Sequence, residues 1–322
     1  MTRVFLCVAG FWIVLSIAAF AGDQTESMRL WLPGNTWALE FDYSGFLGAD
    51  HEITADLRGR SLSTKDQSDR VILEVTMEPT FTMLTSVEYR DSCMKAQEKW
   101  PVHRKDFRRY EVGDIAIVEY VQGRLEETHD GRQPNGRAYC VRDSTQISLW
   151  IAGTTMKPSV EELIVRVLES LKIVEVYQPN SYDYILFGSK CYLQKNYQLA
   201  TDFYEQGLAL EKETRALPRW VWLISVDNLG MAYCLSGDRE NGRRVFEYGL
   251  SEEPEYPMFH YNLACYFAEE KKLDSALACL GKVYEYKANM LPGEKIPDPY
   301  KDESFRGYWS NRDFNRFMKS VR

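Results

Sequence analysis

Apolar and polar side chains alternate along several stretches in the first half of the chain. In one stretch the apolar positions are Trp37, Leu39, Phe41 and Tyr43. Further strands are predicted over residues 71–77, 115–121, 137–141 and 147–151. A period of two places the apolar side chains on one face of each strand. The pattern therefore predicts a sheet with one buried face, and a long hairpin connection that contains Asp130-Gly131 and Pro134-Asn135-Gly136.

Apolar residues three or four positions apart predict two helices that cover this buried face. The clearer helix has the stripe Val160, Leu163, Ile164, Val167, Leu168 and Leu171. We expect Ser159 to cap it, with Glu162 as the capping-box partner. The other helix is predicted over residues 87–100. Strands and helices together predict an α+β domain with an antiparallel sheet over residues 28–176.

Small residues recur at fixed intervals in the second half. They are Gly188, Gly230 and Ala264, each followed twelve residues later by another small residue, namely Ala200, Gly242 and Ala276. Two antiparallel helices approach closely only where a side chain is absent or is a methyl group, so the spacing predicts packed helix pairs. Gly230 and Ala264 are 34 residues apart, whereas Gly188 and Gly230 are 42 apart. The eight extra residues, around positions 217–220, are predicted to form extended helix or a loop.

The middle helix pair resembles a tetratricopeptide (TPR) repeat. It contains Leu229-Gly230-Met231-Ala232-Tyr233 and Gly237-Asp238, and it closes with Phe246, Gly249 and Pro254. Both flanking pairs agree in phase over residues 181–288, but the first lacks the terminal proline and the third has Lys271 where glycine is usual. The resemblance implies an all-α TPR helical-repeat domain of about three repeats over residues 180–290. It also implies a scaffold that binds a protein or peptide.

In such arrays the first helix of each repeat lines a concave groove. The corresponding residues here are Tyr182, Ile185, Ser189, Tyr192, Ile224, Asp227, Met231, Cys234, Met258, Tyr261, Cys265 and Glu269. Asn228 and Asn262 lie beside this line, where related proteins contact a peptide backbone or a terminal carboxylate. A carboxylate clamp is disfavoured, because the places of its basic residues hold Ile185, Met258 and Asn262. An apolar groove normally has an occupant, which is either an external peptide or the protein's own first domain or tail.

The C-terminal residues predict a cap for the array. A linker with Pro292, Pro297 and Pro299 precedes a short amphipathic helix whose apolar residues are Tyr308, Trp309, Phe314, Phe317 and Met318. Terminal repeats need such a cover. Residues 301–322 are therefore assigned to the end of the array and not to its groove.

The N-terminal segment has the pattern of a secretory signal. Met1-Thr2-Arg3 is a short basic start, residues 4–21 carry no charge, and Ala19-Phe20-Ala21 precedes Gly22 as a cleavage site. We expect residues 1–21 to be removed and the protein to be periplasmic or extracellular. The alternative is an uncleaved membrane anchor, because the apolar run approaches the roughly 20 residues that span a bilayer.

Charge and cysteine content narrow the possible partners. The formal net charge is −8, and removal of the signal would take away only the positive charge of Arg3, so nucleic acid is an unfavourable partner. Among the cysteines after the signal, Cys93 and Cys140 are the only two in the first half. A disulfide between them is plausible in an exported protein.

The order of strands and helices in the first domain resembles the PsbP/Mog1-type α/β/α sandwich, which implies no catalytic residues to transfer. The four histidines are isolated from one another, and no metal, nucleotide or nucleophile motif is present in the sequence. No cofactor is expected. The sequence favours an exported non-enzymatic adaptor that binds a protein or peptide through an apolar groove. The alternative is an enzyme or a small-ligand-binding protein with its site in the first domain.

Overall fold

The computed structural model describes residues 27–68, 70–99, 102–123 and 132–321. These residues divide into two compact units that meet along the chain between Pro179 and Asn180. The first unit contains a large antiparallel sheet and the second is mostly helical, so the predicted α+β region followed by a helical region is confirmed. The predicted signal and the Asp130-Gly131 turn lie outside the described residues. No helix within those ranges is long and apolar enough to cross a membrane.

The first unit contains two sheets. Its strands are β1 (Ser27–Leu30), β2 (Ala38–Asp42), β3 (Asp50–Ile53), β4 (Arg60–Lys65), β5 (Val71–Pro79), β6 (His103–Val112), β7 (Ile115–Gly123), β8 (Gln133–Arg142), β9 (Thr145–Gly153) and β10 (Lys172–Val174). The large sheet has the antiparallel order β3-β4-β5-β9-β8-β7-β6, and the small one has the order β1-β2-β10. The alternating stretch that begins at Trp37 therefore belongs to a separate small sheet.

Two helices, α1 (Ser86–Gln97) and α2 (Pro158–Glu169), pack on opposite faces of the large sheet. A Cβ placed on Gly136 of β8 would lie 2.4 Å from Leu168 of α2. Met94 of α1 instead packs against Tyr139 of β8. Since odd and even residues of a strand point to opposite faces, the two helices lie on opposite sides. The expectation that both cover one face was wrong, because β7, β8 and β9 carry buried side chains on both faces.

Local signals at the ends of these elements were partly misread. Helix α2 starts after Lys157 without a side-chain cap, because Pro158 takes its first turn and proline fits there without losing a hydrogen bond. The predicted Ser159 cap is therefore wrong. A capping box occurs instead at α1, between Thr85 and Glu88. Pro134-Asn135-Gly136 is not a turn but part of β8, opposite residues 119–121 of β7.

The predicted disulfide is not formed. Cys93 and Cys140 are free thiols, and no two of the described cysteines lie at bonding distance. Cys93 packs with the side chains that surround Tyr139, and the side chain that follows on a strand points the other way. Cys140 therefore points to the opposite face of the sheet, where burial raises the pKa of its thiol to about 11.

The second unit consists of three helix pairs and a C-terminal extension. The helices are α3 (Ser181–Leu193), α4 (Tyr197–Thr214), α5 (Arg219–Ser236), α6 (Arg239–Glu252), α7 (Pro257–Glu269), α8 (Leu273–Glu285) and α9 (Arg312–Val321). Short 3₁₀ helices cover Lys287–Asn289 and Glu303–Tyr308. Within each pair, α3–α4, α5–α6 and α7–α8, the turn is only a few residues long, which makes the two helices antiparallel neighbours.

The helix pairs approach at the small residues that the sequence singled out. A Cβ placed on Gly230 would lie 2.3 Å from Cε1 of Phe246, and one on Gly188 would lie 3.0 Å from the ring of Tyr204. Both distances are shorter than an ordinary carbon–carbon contact of about 3.5–4.0 Å. In the third pair, Ala264 and Leu280 occupy the equivalent places and are fully buried. Glycine at the first two positions therefore makes room for an aromatic ring.

The eight extra residues lengthen two helices. Helices α4 and α5 have 18 residues each, whereas α3, α7 and α8 have 13. The carboxylate of Glu211 holds the turn between α4 and α5, because it accepts hydrogen bonds from the backbone N–H groups of Ala216 at 3.0 Å and Leu217 at 3.1 Å. The predicted alternatives, extended helix and loop, are thus both present.

We expect Gly230→Ala to lower the free energy of unfolding by roughly 1–3 kcal/mol, because the added methyl group collides with the buried Phe246 ring. The matched control is Gly281→Ala in α8, where the nearest heavy atom to the new Cβ is 4.0 Å away. That variant should gain about 0.5–1 kcal/mol from helix propensity alone. Urea unfolding of both variants measures the difference, and a stabilised Gly230→Ala protein would contradict the packing described above.

Candidate peptide-binding groove

Most residues predicted to line the groove are buried within the helical unit. The buried ones are Ile185, Ser189, Ile224, Asn228, Met231, Cys234, Met258, Tyr261, Asn262 and Cys265, whereas Tyr182, Tyr192, Asp227 and Glu269 are half-buried. They lie on α3, α5 and α7, the first helices of the three pairs. The line is therefore present, but its apolar members are not an open surface.

Three of these residues take part in packing between helices. Ile185 fills the space beside Gly207 of α4, where an added Cβ would lie 2.9 Å from its Cδ1 atom. The hydroxyl of the buried Tyr204 donates to Ser189 at 3.0 Å and accepts from the side-chain amide of Asn228 at 3.2 Å. At these three positions the polar atoms and the volume of the side chains are used inside the fold.

Residues 291–308, here called the C-terminal segment, run along α7. The hydroxyl of Tyr256, just before α7, donates to Glu294 at 2.6 Å. Within α7, the hydroxyl of Tyr261 donates to Asp302 at 2.9 Å. Near the end of the helix, Tyr308 donates to the carbonyl oxygen of Ala268 at 3.3 Å. The segment therefore follows the predicted groove line of the third helix pair from one end to the other.

The same segment reaches the second helix pair. Ser304 lines a small cavity together with Met231, Asn262 and Cys265. The cavity measures about 10 Å³, which leaves room for at most about one water molecule. The C-terminal segment thus lies beside both α5 and α7 at Ser304.

Asp227 of α5 is an acidic residue of this region whose pKa is raised. Its carboxylate accepts a hydrogen bond of 2.6 Å from the side-chain amide of Asn262. Burial, together with the nearby charge of Glu294, raises the pKa of Asp227 to about 7. Burial also raises the pKa of Glu294, which accepts from Tyr256 and from the backbone N–H of Leu291 at 2.8 Å. Ionisation of both carboxyl groups is therefore unfavourable.

The expectation that the tail covers the end of the array and not its groove is half right. Phe314 and Met318 of α9 are buried against Leu280 and Val283 of α8, as a terminal cap requires. The residues before α9 lie in the groove instead. The sequence analysis missed Tyr256, Glu294 and Asp302, because their pairing spans 38 and 41 residues and leaves no periodic signal.

The first unit contains one polar cluster on the sheet face that α1 covers. The guanidinium of Arg137 donates through Nε to the hydroxyl of Tyr120 at 3.0 Å and lies 5.6 Å from the centroid of the Trp150 ring. Trp150 in turn donates to the side-chain oxygen of Asn135 at 3.0 Å. These contacts link the strands β7, β8 and β9, so the polar side chains of the cluster have a structural role in the sheet.

The chain matches no protein-family model and no curated protein sequence. A crystal structure from Bacteroides thetaiotaomicron VPI-5482 at 1.50 Å resolution is similar over 66% of this chain and 78% of its own chain. The sequence identity is 9% and the TM-score is 0.33. A likeness at this level carries no argument about function.

The raised pKa of Asp227 predicts a pH dependence of stability. An acid with a raised pKa binds its proton more tightly in the folded state, so its contribution to stability falls as pH rises from the unfolded value of about 4 towards the folded value. Asp227→Asn removes this titration and keeps an acceptor for Asn262. The melting temperature of the variant, measured relative to that of the wild type, should therefore increase as the pH is raised from about 5 to about 7.

Asp202→Asn, an exposed position of α4, is the matched control and should not show this trend. Parallel melting curves for the wild type and Asp227→Asn across the same pH range would contradict the raised pKa.

Proposed function

We propose that the helical unit is a short TPR-type array in an exported, non-enzymatic adaptor. The support is the repeated contact between the first and second helix of each pair, at Gly188 with Tyr204 and at Gly230 with Phe246. The 34-residue step from Gly230 to Ala264 agrees with the TPR period. The weak likeness of the first unit to the PsbP/Mog1-type sandwich adds no activity to the proposal.

The adaptor binds an extended protein segment along the first helices of the three pairs, α3, α5 and α7. One observation carries this proposal: an irregular stretch of chain already lies on that line, held by side chains of the groove such as Tyr261 at 2.9 Å from Asp302. A surface that holds one extended segment through side-chain donors has the chemistry to hold another. Export rests on the signal pattern of residues 1–21.

Quantitative affinity capture from cell-envelope extract tests the proposal. Full-length wild type is compared with Tyr182→Ala/Tyr192→Ala, which changes two half-buried residues of the predicted groove line. The control is Arg244→Ala, an exposed residue on α6, the second helix of its pair. The groove variant should recover a partner at least about tenfold less well than the wild type and the control do, because truncated interface aromatics typically cost about 2 kcal/mol or more.

All three proteins must show the same helical circular dichroism before they are compared. If the folded groove variant keeps the full set of wild-type partners, the groove is not the binding surface.

A further inference from the structure

Two acids of the C-terminal segment meet two tyrosine hydroxyls of the groove. Glu294 accepts from Tyr256 at 2.6 Å and Asp302 accepts from Tyr261 at 2.9 Å. The thiol of Cys265 lies a further turn along α7, 3.6 Å from the same oxygen of Asp302. Tyr256 comes just before α7 and Tyr261 lies within it, and both hydroxyls face the C-terminal segment. The groove thus presents a row of neutral donors to acidic side chains.

The same segment also has apolar anchors. Phe305 is fully buried against Tyr261, with ring centroids 6.2 Å apart. Leu291, at the other end, is 9% exposed. Between them, residues 291–302 form no helix or strand, and they contain Pro292, Pro297 and Pro299. Their attachment therefore depends on side chains rather than on backbone pairing, as in recognition of an extended peptide.

We infer that the C-terminal segment is an intramolecular ligand of the groove, and that the external ligand is an extended acidic peptide that displaces it. The inference rests on the proposed groove-binding function and names its ligand class. A competing peptide needs a carboxylate for Tyr256 or Tyr261 and an apolar residue for the place of Phe305. The tyrosine hydroxyls donate hydrogen bonds to carboxylates and are themselves neutral.

Closure of the groove by the C-terminal segment has an electrostatic cost, which any ligand that places a carboxyl group at Tyr256 shares. The charge of Glu294 adds to burial in raising the pKa of the half-buried Asp227, and burial also raises the pKa of the half-buried Glu294. Like charges held close in a buried site oppose each other. The covalent link stabilises the closed state, because a linked segment competes with a free peptide at an effective concentration of about 10⁻³ M. An external peptide therefore binds the wild type only as well as the small open fraction permits.

A peptide in trans tests this competition directly. The probe is a fluorescein-labelled synthetic peptide of residues 290–307, and its binding to full-length protein is measured by fluorescence anisotropy. In the protein, Glu294→Ala/Asp302→Ala weakens the tethered segment and leaves the groove side chains unchanged. This variant should bind the peptide at least about tenfold more tightly than the wild type does, because a larger fraction of it is open.

Two controls belong to this measurement. Glu303→Ala removes an exposed acid of the same segment, which pairs only with Arg306 among the contacts described, and it should bind the peptide like the wild type. A second peptide with alanine in place of both acids should bind the double variant at least about tenfold more weakly. If the folded double variant binds neither peptide, the segment is a fixed cap and the inference is overturned.

Hydrogen exchange covers the case in which the double variant unfolds. Excess peptide added to the wild type should speed amide exchange in residues 291–302 and leave α9 protected; unchanged exchange in that segment overturns the inference. Failure here is distinguishable from failure of the adaptor function. Peptide binding without groove-dependent partner capture removes only the adaptor function, and groove-dependent capture without peptide binding removes only the internal ligand.

Discussion

The helical unit depends on the contact between a glycine and an aromatic ring at the centre of each of the first two helix pairs. A Cβ on Gly242 would lie 2.8 Å from the carbonyl oxygen of Gly230, so α6 approaches the backbone of α5 itself. Phe246 then fills the space over Gly230. This close approach orients α5 about its own axis and directs Asp227 and Met231 towards the neighbouring pair. The line of first helices follows from this orientation, since the first two pairs share this contact and Ala264 with Leu280 takes its place in the third.

The end of the array explains the path of the C-terminal segment. The outer face of α8 is apolar and must be covered, and α9 covers it with Phe314 and Met318. The chain leaves α8 at Glu285 and reaches α9 only at Arg312. The residues in between run along α7, where Phe305 stacks on Phe314 with centroids 5.8 Å apart. Cap and groove occupant are thus one continuous structure joined through these two rings.

Buried polar groups on the groove line have two different roles. The side-chain amide of Asn228 donates a hydrogen bond to the hydroxyl of Tyr204, which is enclosed by protein. An unpaired hydroxyl there would lower the stability of the fold. Asn262, at the equivalent place 34 residues later, instead supports Asp227 at the edge of the C-terminal segment. Asparagines at equivalent positions of two helix pairs therefore have different hydrogen-bond partners, a tyrosine hydroxyl for Asn228 and a carboxylate for Asn262. The third pair is the place where the line meets an extended chain.

Several features could be predicted from the sequence alone because they depend on local spacing. The alternation in residues 71–77 and 147–151 identified two adjacent strands of the large sheet, and the stripe from Val160 to Leu168 identified α2. Gly188, Gly230 and Ala264 marked the helix pairs, because close packing requires a small residue wherever two helices touch.

Other features were decided only by the tertiary structure. The strand pattern did not show that β8 is buried on both faces, since Gly136 and Tyr139 each face a helix that lies far away in the sequence. Likewise, no local pattern joins Glu294 to Tyr256 or Asp302 to Tyr261. Periodicity records which side of an element is buried, whereas the identity of the partner depends on how distant elements meet. The sequence by itself therefore determined the helix pairs, and only the packed chain determined which segment lies against their first helices.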